Sequence, residues 1–95
     1  MDNNLIWTKE GFYRLTVLVS VHMNGGIATI KDIKKMLKKQ KMKTRNVKST
    51  LRFLKYNGLV MKSKDGNVSI TEEGKKVMQM PLKNGREILE NPPFR

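Results

Sequence analysis

The sequence predicts a small α+β domain, mainly α: a three-helix core, a two-stranded β-hairpin and a C-terminal helix. Three observations predict it. Apolar residues recur at helical spacing in blocks closed by Asn24-Gly25-Gly26 and by Asn57-Gly58. An Asp65-Gly66 pair, favoured in tight hairpin turns, separates two short apolar runs. The net charge of +12 on 95 residues falls in one third of the chain, as expected of a single domain with one charged face.

The first helix starts at Thr8, a natural N-cap, with Trp7 and Phe12 at the positions of a hydrophobic staple. Phe12, Leu15, Leu18, Val19, His22 and Met23 form its expected core stripe. Thr16, Val17, Val19 and Val21 would suit a strand nearly as well, but the capped start and the length favour helix. Ile27-Ala28-Thr29 is long enough only for a minor strand. Ile30, Ile33, Met36 and Leu37 then mark an amphipathic second helix to about Lys39, with lysines on its other face. Gln40 to Lys43 is the turn. Thr44 is the expected N-cap of a third helix, from Thr44 to Asn57, with Val47, Leu51 and Leu54 facing inward. Leu59 to Ser63 and Val68 to Ile70 are the hairpin strands. Thr71 caps a fourth helix with Glu72 and Glu73 at the positive end of its dipole, and the helix ends before Pro81. Asn84 to Glu90 reads as one or two helical turns and Asn91 to Arg95 as an extended tail. Residues 1–80 are thus the expected domain and 81–95 a C-terminal extension.

Between Lys31 and Lys64 stand eleven lysines, two arginines and one acid, Asp32, whereas seven bases balance seven acids outside that stretch. A basic segment between neutral flanks makes a one-sided potential that attracts a polyanion. With no cysteine and a single histidine, His22, neither a disulfide framework nor a metal cluster is expected. No Gly-rich phosphate loop and no nucleophile with a base is present, and Glu72 and Glu73 diverge on a helix, so no enzyme is expected. No cofactor or small-molecule effector is indicated. The N-terminus lacks a secretory pattern and no apolar run is long enough to span a membrane, which points to the cytoplasm. Lysine richness without cysteine would suit a thermophilic archaeon or its virus.

The run Val47-Lys48-Ser49-Thr50-Leu51-Arg52-Phe53-Leu54-Lys55-Tyr56-Asn57-Gly58-Leu59-Val60 is similar to the recognition-helix end and first wing strand of MarR-like and ArsR-like regulators. Ile70-Thr71-Glu72-Glu73-Gly74-Lys75-Lys76 resembles the segment that follows the wing in those families. Over about Thr8 to Met80 the chain resembles the winged helix-turn-helix superfamily. The resemblance implies a transcriptional regulator that binds double-stranded DNA as a homodimer, nucleoid-associated in the cytoplasm.

A major groove about 12 Å wide admits one α-helix, so the third helix is the expected reader. With its apolar residues inward, Arg45, Asn46, Lys48, Ser49 and Arg52 are the base-reading candidates, Arg for guanine and Asn for adenine. Lys31, Lys34, Lys35, Lys38, Lys41, Lys43 and Thr44, with Lys62 and Lys64 at the hairpin tip, are the phosphate candidates, because lysine is a point charge without bidentate geometry. Trp7, Phe12 and Phe53 read as core or dimer contacts, the seven methionines as core filler, and His22 as a packing or C-terminal capping residue. The apolar first helix and Ile88, Leu89 and Phe94 exceed what so small a core needs and point to dimerisation. Three other readings compete with a sequence-specific regulator: an architectural, chromatin-like protein coating DNA without sequence preference, an interaction module of the same fold, and a binder of double-stranded RNA by shape.

Overall fold

The computed structural model describes residues 8–79 and Leu89. The expected N-terminal staple partner Trp7, the helical turns over 84–90 apart from Leu89, and the tail over 91–95 lie outside the described residues. The elements run α1 (Lys9–Met23), β1 (Ile27–Thr29), α2 (Ile30–Lys39), α3 (Val47–Tyr56), β2 (Val60–Lys62), β3 (Asn67–Ile70) and α4 (Glu72–Gln79).

Helix α1 begins where Thr8 accepts the Gly11 N–H at 3.0 Å. It is a helix despite its β-branched run, because other elements surround it: α2, α3, α4, β1 and β3 all pack against it. Burial therefore wraps round much of the helix instead of forming one stripe. Leu18 is in the core as expected, but so are Val17 and Val21, while Phe12 is 49% exposed, Met23 is 70% exposed and His22 lies in solvent. The two buried hydroxyls on this face are satisfied within the helix, Thr16 donating to the Phe12 carbonyl and Ser20 to that of Thr16, both at 2.8 Å. Of the methionines, 23, 36, 42, 61 and 78 are among the described residues, and none is fully buried. Met42 and Met78 pack at the margin of a core made of branched aliphatics, which pack at fixed rotamers more tightly than an unbranched thioether does, while Met23 and Met61 are exposed.

Three helices end in the same six-residue hydrogen-bond pattern. Gly26 donates to the Val21 carbonyl, Met42 to that of Leu37 and Leu59 to that of Leu54, at 3.1, 3.0 and 2.9 Å. The residue in the left-handed region is Gly25 after α1 and Gly58 after α3, but Lys41, with φ 59°, after α2. A side chain in that region costs about 1 kcal/mol, and nothing in the sequence announces it.

The third helix starts later than expected. Thr44 is not its cap: the Thr44 carbonyl accepts the Val47 N–H at 3.2 Å, closing a turn first, and Asn46 occupies the N-cap position without a side-chain cap bond. Arg45 and Asn46 thus belong to the turn and not to the helix. The sheet also differs from expectation. It has three antiparallel strands in the order β1-β3-β2, with Ala28 opposite Val68 and Val60 opposite Ile70. The short run after Gly26 finds a partner because the left-handed glycines bring the chain back alongside β3, where the Ile70 N–H donates to the Gly26 carbonyl at 2.9 Å. The hairpin loop places Gly66 at φ 88°, and the Ser63 N–H donates to the Asn67 carbonyl across it.

Thr71 locks α4 to the end of α3. Its hydroxyl accepts the Gly74 N–H at 3.0 Å and donates to the Gly58 carbonyl at 2.6 Å. Gly74 passes so close to the Leu59 carbonyl that an added Cβ would overlap it and lie 2.8 Å from Ile70 Cγ1. Leu89, in the segment expected as an extension, is fully buried in the same core. Gly74→Ala is expected to lower stability by roughly 1–3 kcal/mol, since this overlap with backbone outweighs the gain of about 0.5–1 kcal/mol from better helix propensity. Thermal unfolding should show the melting temperature falling by several degrees; an unchanged or higher value would mean that α4 does not cross Leu59 this closely.

Candidate nucleic-acid interface

Helix α3 buries Val47, Thr50, Leu51 and Leu54 and presents Lys48, Ser49, Arg52, Lys55 and Tyr56 outward. Lys48, Arg52 and Lys55 stand at i, i+4 and i+7, one row along the helix surface. The hairpin brings a fourth cation to that row. Lys62 pairs with Val68 across the ladder, so both side chains point to the same face of the sheet, towards α3. Together the four bases line a shallow groove of about 200 Å³ whose apolar wall is Ile30, Leu51, Val60 and Val68. Lys48, Arg52 and Lys62 were expected at an interface; Lys55 was missed, although its spacing from Lys48 and Arg52 could have found it.

The other flank of α3 carries a second, wider groove of about 720 Å³ between α1 and the turn before α3. It takes in Asn46 and Ser49, Lys41 and Lys43, and from α1 Lys9, Glu10, Phe12, Tyr13 and Arg14. The five base-reading candidates are all exposed, but they do not form one cluster: Lys48 and Arg52 face the hairpin side, Asn46 and Ser49 the α1 side, and Arg45 lines neither groove. Lys31, Lys35 and Lys38 are exposed on α2 and Lys34 is half-buried there; Thr44 is half-buried in the turn, and Lys64 is exposed at the hairpin tip.

The only acid of the basic stretch is engaged locally. Asp32 and Thr29 form a capping box, each side chain bonded to the other's backbone N–H at 3.0 Å. The Thr29 N–H, then its hydroxyl, and more weakly Lys35 and Lys31 hold the Asp32 carboxyl below its ordinary pKa. Among the described residues the ion pairs are Lys75–Glu72 and Lys76–Glu73, both on α4, so none of the bases between residues 31 and 64 is neutralised by one.

Tyr13 fixes the start of α3. Its hydroxyl donates to the Lys43 carbonyl at 2.7 Å, which ties the turn to α1. Beside it the Arg14 guanidinium lies 3.9 Å from the centre of the Phe53 ring and donates to the Leu89 carbonyl at 2.6 Å. Neither Tyr13 nor Arg14 stood out in the sequence, because their partners lie 30 and 75 residues away. Among the described residues no group of three or more His, Cys, Asp or Glu could hold a metal ion, and no helix is long and apolar enough to cross a membrane.

No protein-family model matches the chain, and no curated protein does. A solved structure does: the chain is similar to the crystal structure, at 2.4 Å resolution, of a "putative transcriptional regulator protein" from Pseudomonas aeruginosa PA01. The TM-score is 0.64 and the identity 22%, over 92% of this chain and 57% of that one. The two share a fold, and this chain spans little more than half of that protein.

Burial raises the Tyr13 pKa above 10.0, opposed in part by the Asn46 N–H. The fold therefore favours the neutral phenol, so the stabilisation is complete below pH 10 and is lost as pH rises through the higher folded value. Tyr13→Phe is expected to cost about 0.5–1.5 kcal/mol at neutral pH. The difference in melting temperature between the two proteins should hold from pH 7 to about 9 and shrink above about 10. A difference independent of pH would show that the phenol is not held in this bond.

Proposed function

We propose that this chain is a DNA-binding transcriptional regulator with a winged helix-turn-helix domain over residues 1–80 and an extension over 81–95 that adds Leu89 to its core. In this reading α2 and α3 are the helix-turn-helix, α3 enters a major groove, and the hairpin β2–β3 is the wing. The observation that carries it is the convergence of Lys48, Arg52, Lys55 and Lys62, from a helix and a hairpin, with no acid among them. Exposed cations that no ion pair neutralises are an electrostatic footprint for a polyanion, and an exposed helix is the element that fits a major groove. The likeness to the regulator from Pseudomonas aeruginosa supports the same reading. Arg52, Lys48, Arg45, Asn46 and Ser49 are assigned to bases, and the lysines of α2, the turn and the hairpin to phosphates. The role is binding, without catalysis or cofactor, in the cytoplasm on the nucleoid.

The lysine excess favours a second reading, a protein that coats duplexes without sequence preference, and one experiment separates the two. Selection of bound duplexes from a random pool should return a defined site, and Arg52→Ala should weaken that site by about 1–3 kcal/mol while leaving random duplex nearly unaffected. An unselected pool would favour the coating protein. Equal affinity for RNA and DNA duplexes would favour shape recognition of RNA. With six to ten phosphates neutralised, affinity should fall by roughly 10³ to 10⁵ between 50 and 200 mM salt.

The homodimer belongs to this reading too, with two α3 helices one turn of DNA apart. Leu89 cannot serve it, being taken into its own chain's core, so the support is the exposed apolar side chains Ile27 and Met61, both opposite Ser69 on the sheet. Sedimentation with and without a two-site duplex checks it; a monomer in both would remove it.

A further inference from the structure

An α-helix with its side chains is about 10–12 Å across and a major groove about 12 Å wide, so a helix seated in that groove has a phosphodiester backbone on each flank. Here both flanks of α3 carry a cation-lined groove. The hairpin-side groove belongs to the reading above. The α1-side groove holds Lys9, Lys41 and Lys43 against one acid, Glu10; its fourth base, Arg14, is occupied by Phe53 and the Leu89 carbonyl.

A second observation points to the same place independently. Lys41 occupies a left-handed position that glycine fills at the matching ends of α1 and α3. Strain of this kind persists only where the surrounding structure over-determines it, and it clusters at functional sites. Lys41 lines this groove, so the strained residue and the cations share one place.

We infer that the groove between α1 and the α2–α3 turn seats the phosphodiester strand opposite the one held on the hairpin side, with Lys9, Lys41 and Lys43 as its phosphate contacts. The inference rests on duplex binding through α3. It assigns a contact to Lys9, which lies outside the basic stretch, and a cause to the backbone strain at Lys41. Tyr13 then has a positioning role, because its bond to the Lys43 carbonyl holds the turn at the edge of the groove.

The test is the salt dependence of binding to one duplex by Lys9→Ala, Lys43→Ala and Lys41→Gly, with Lys75→Ala, on the far helix α4, as control. Removing one lysine from a phosphate should lower the slope of log affinity against log salt by about 0.9, so the fall in affinity between 50 and 200 mM becomes roughly three-fold smaller per variant. Lys75→Ala should leave the slope unchanged. Lys41→Gly should also raise the melting temperature by a few degrees, so that binding weakens while the fold strengthens, a pairing that a purely structural lysine would not give. Slopes equal to that of the unaltered protein in all three variants would overturn this inference and leave duplex binding standing. Failure of the unaltered protein to bind any duplex would overturn both.

Discussion

The fold depends on the enclosure of α1. A chain of this size has too little apolar surface for two separate core layers, and it makes one by surrounding a single helix with three helices and a sheet. That constraint explains why a helix rich in valine stays a helix, since burial on several sides rewards branched aliphatics whatever their propensity. It explains the buried Thr16 and Ser20, whose hydroxyls bond back to the helix itself and so tolerate an apolar neighbourhood. It also explains why Gly74 matters, because the last helix reaches the core only by crossing the Leu59 carbonyl at a distance that admits no side chain.

The same enclosure makes the charge distribution possible. Helices α2 and α3 give their apolar faces to the core through Ile33, Leu37, Val47, Leu51 and Leu54, leaving their polar faces free of any packing duty. Those faces are where the excess of bases accumulates. Their mutual repulsion opposes folding, and the one acid among them, Asp32, is used to cap α2 instead of neutralising a neighbour. A surface kept in that state favours an anionic partner over self-association of its own charged faces.

Much of this was legible in the sequence because it is local. Thr8 and Thr71 announced their helices, Gly25 and Gly58 their ends, Asp65-Gly66 the hairpin, and Val47, Leu51 and Leu54 the inner face of α3. Misreadings arose where a residue's role is set by a distant neighbour. Helical spacing alone marks one stripe on α1, but the helix is packed on several sides, so Phe12, His22 and Met23 of that stripe are exposed while Val17 and Val21 outside it are buried. β1 was too short to stand as a sheet strand until β3 was beside it. Thr44 looked like a cap because its chemistry suits one; Tyr13, from 30 residues away, holds the turn so that the helix begins at Val47. At the candidate interface the residue types were readable, but their division between two flanks of α3 required the hairpin and α1 to be in place.

The turn before α3 is where these constraints meet. Asn46 caps the helix by position without a side-chain bond, so the start of α3 is set from outside, by the Tyr13 hydroxyl on one side of the turn and the left-handed Lys41 on the other. A turn held by external contacts can keep a strained residue, because the contacts over-determine its conformation. A glycine at 41 would make the turn more stable on its own account, and Asn46, although of a type that caps helices, makes no side-chain cap bond. The local sequence at Lys41 is therefore poorer for folding than it could be, in a turn that lines the α1 side of α3. Consistency between local preference and global fold holds along most of this chain, and the left-handed Lys41 is where the two part.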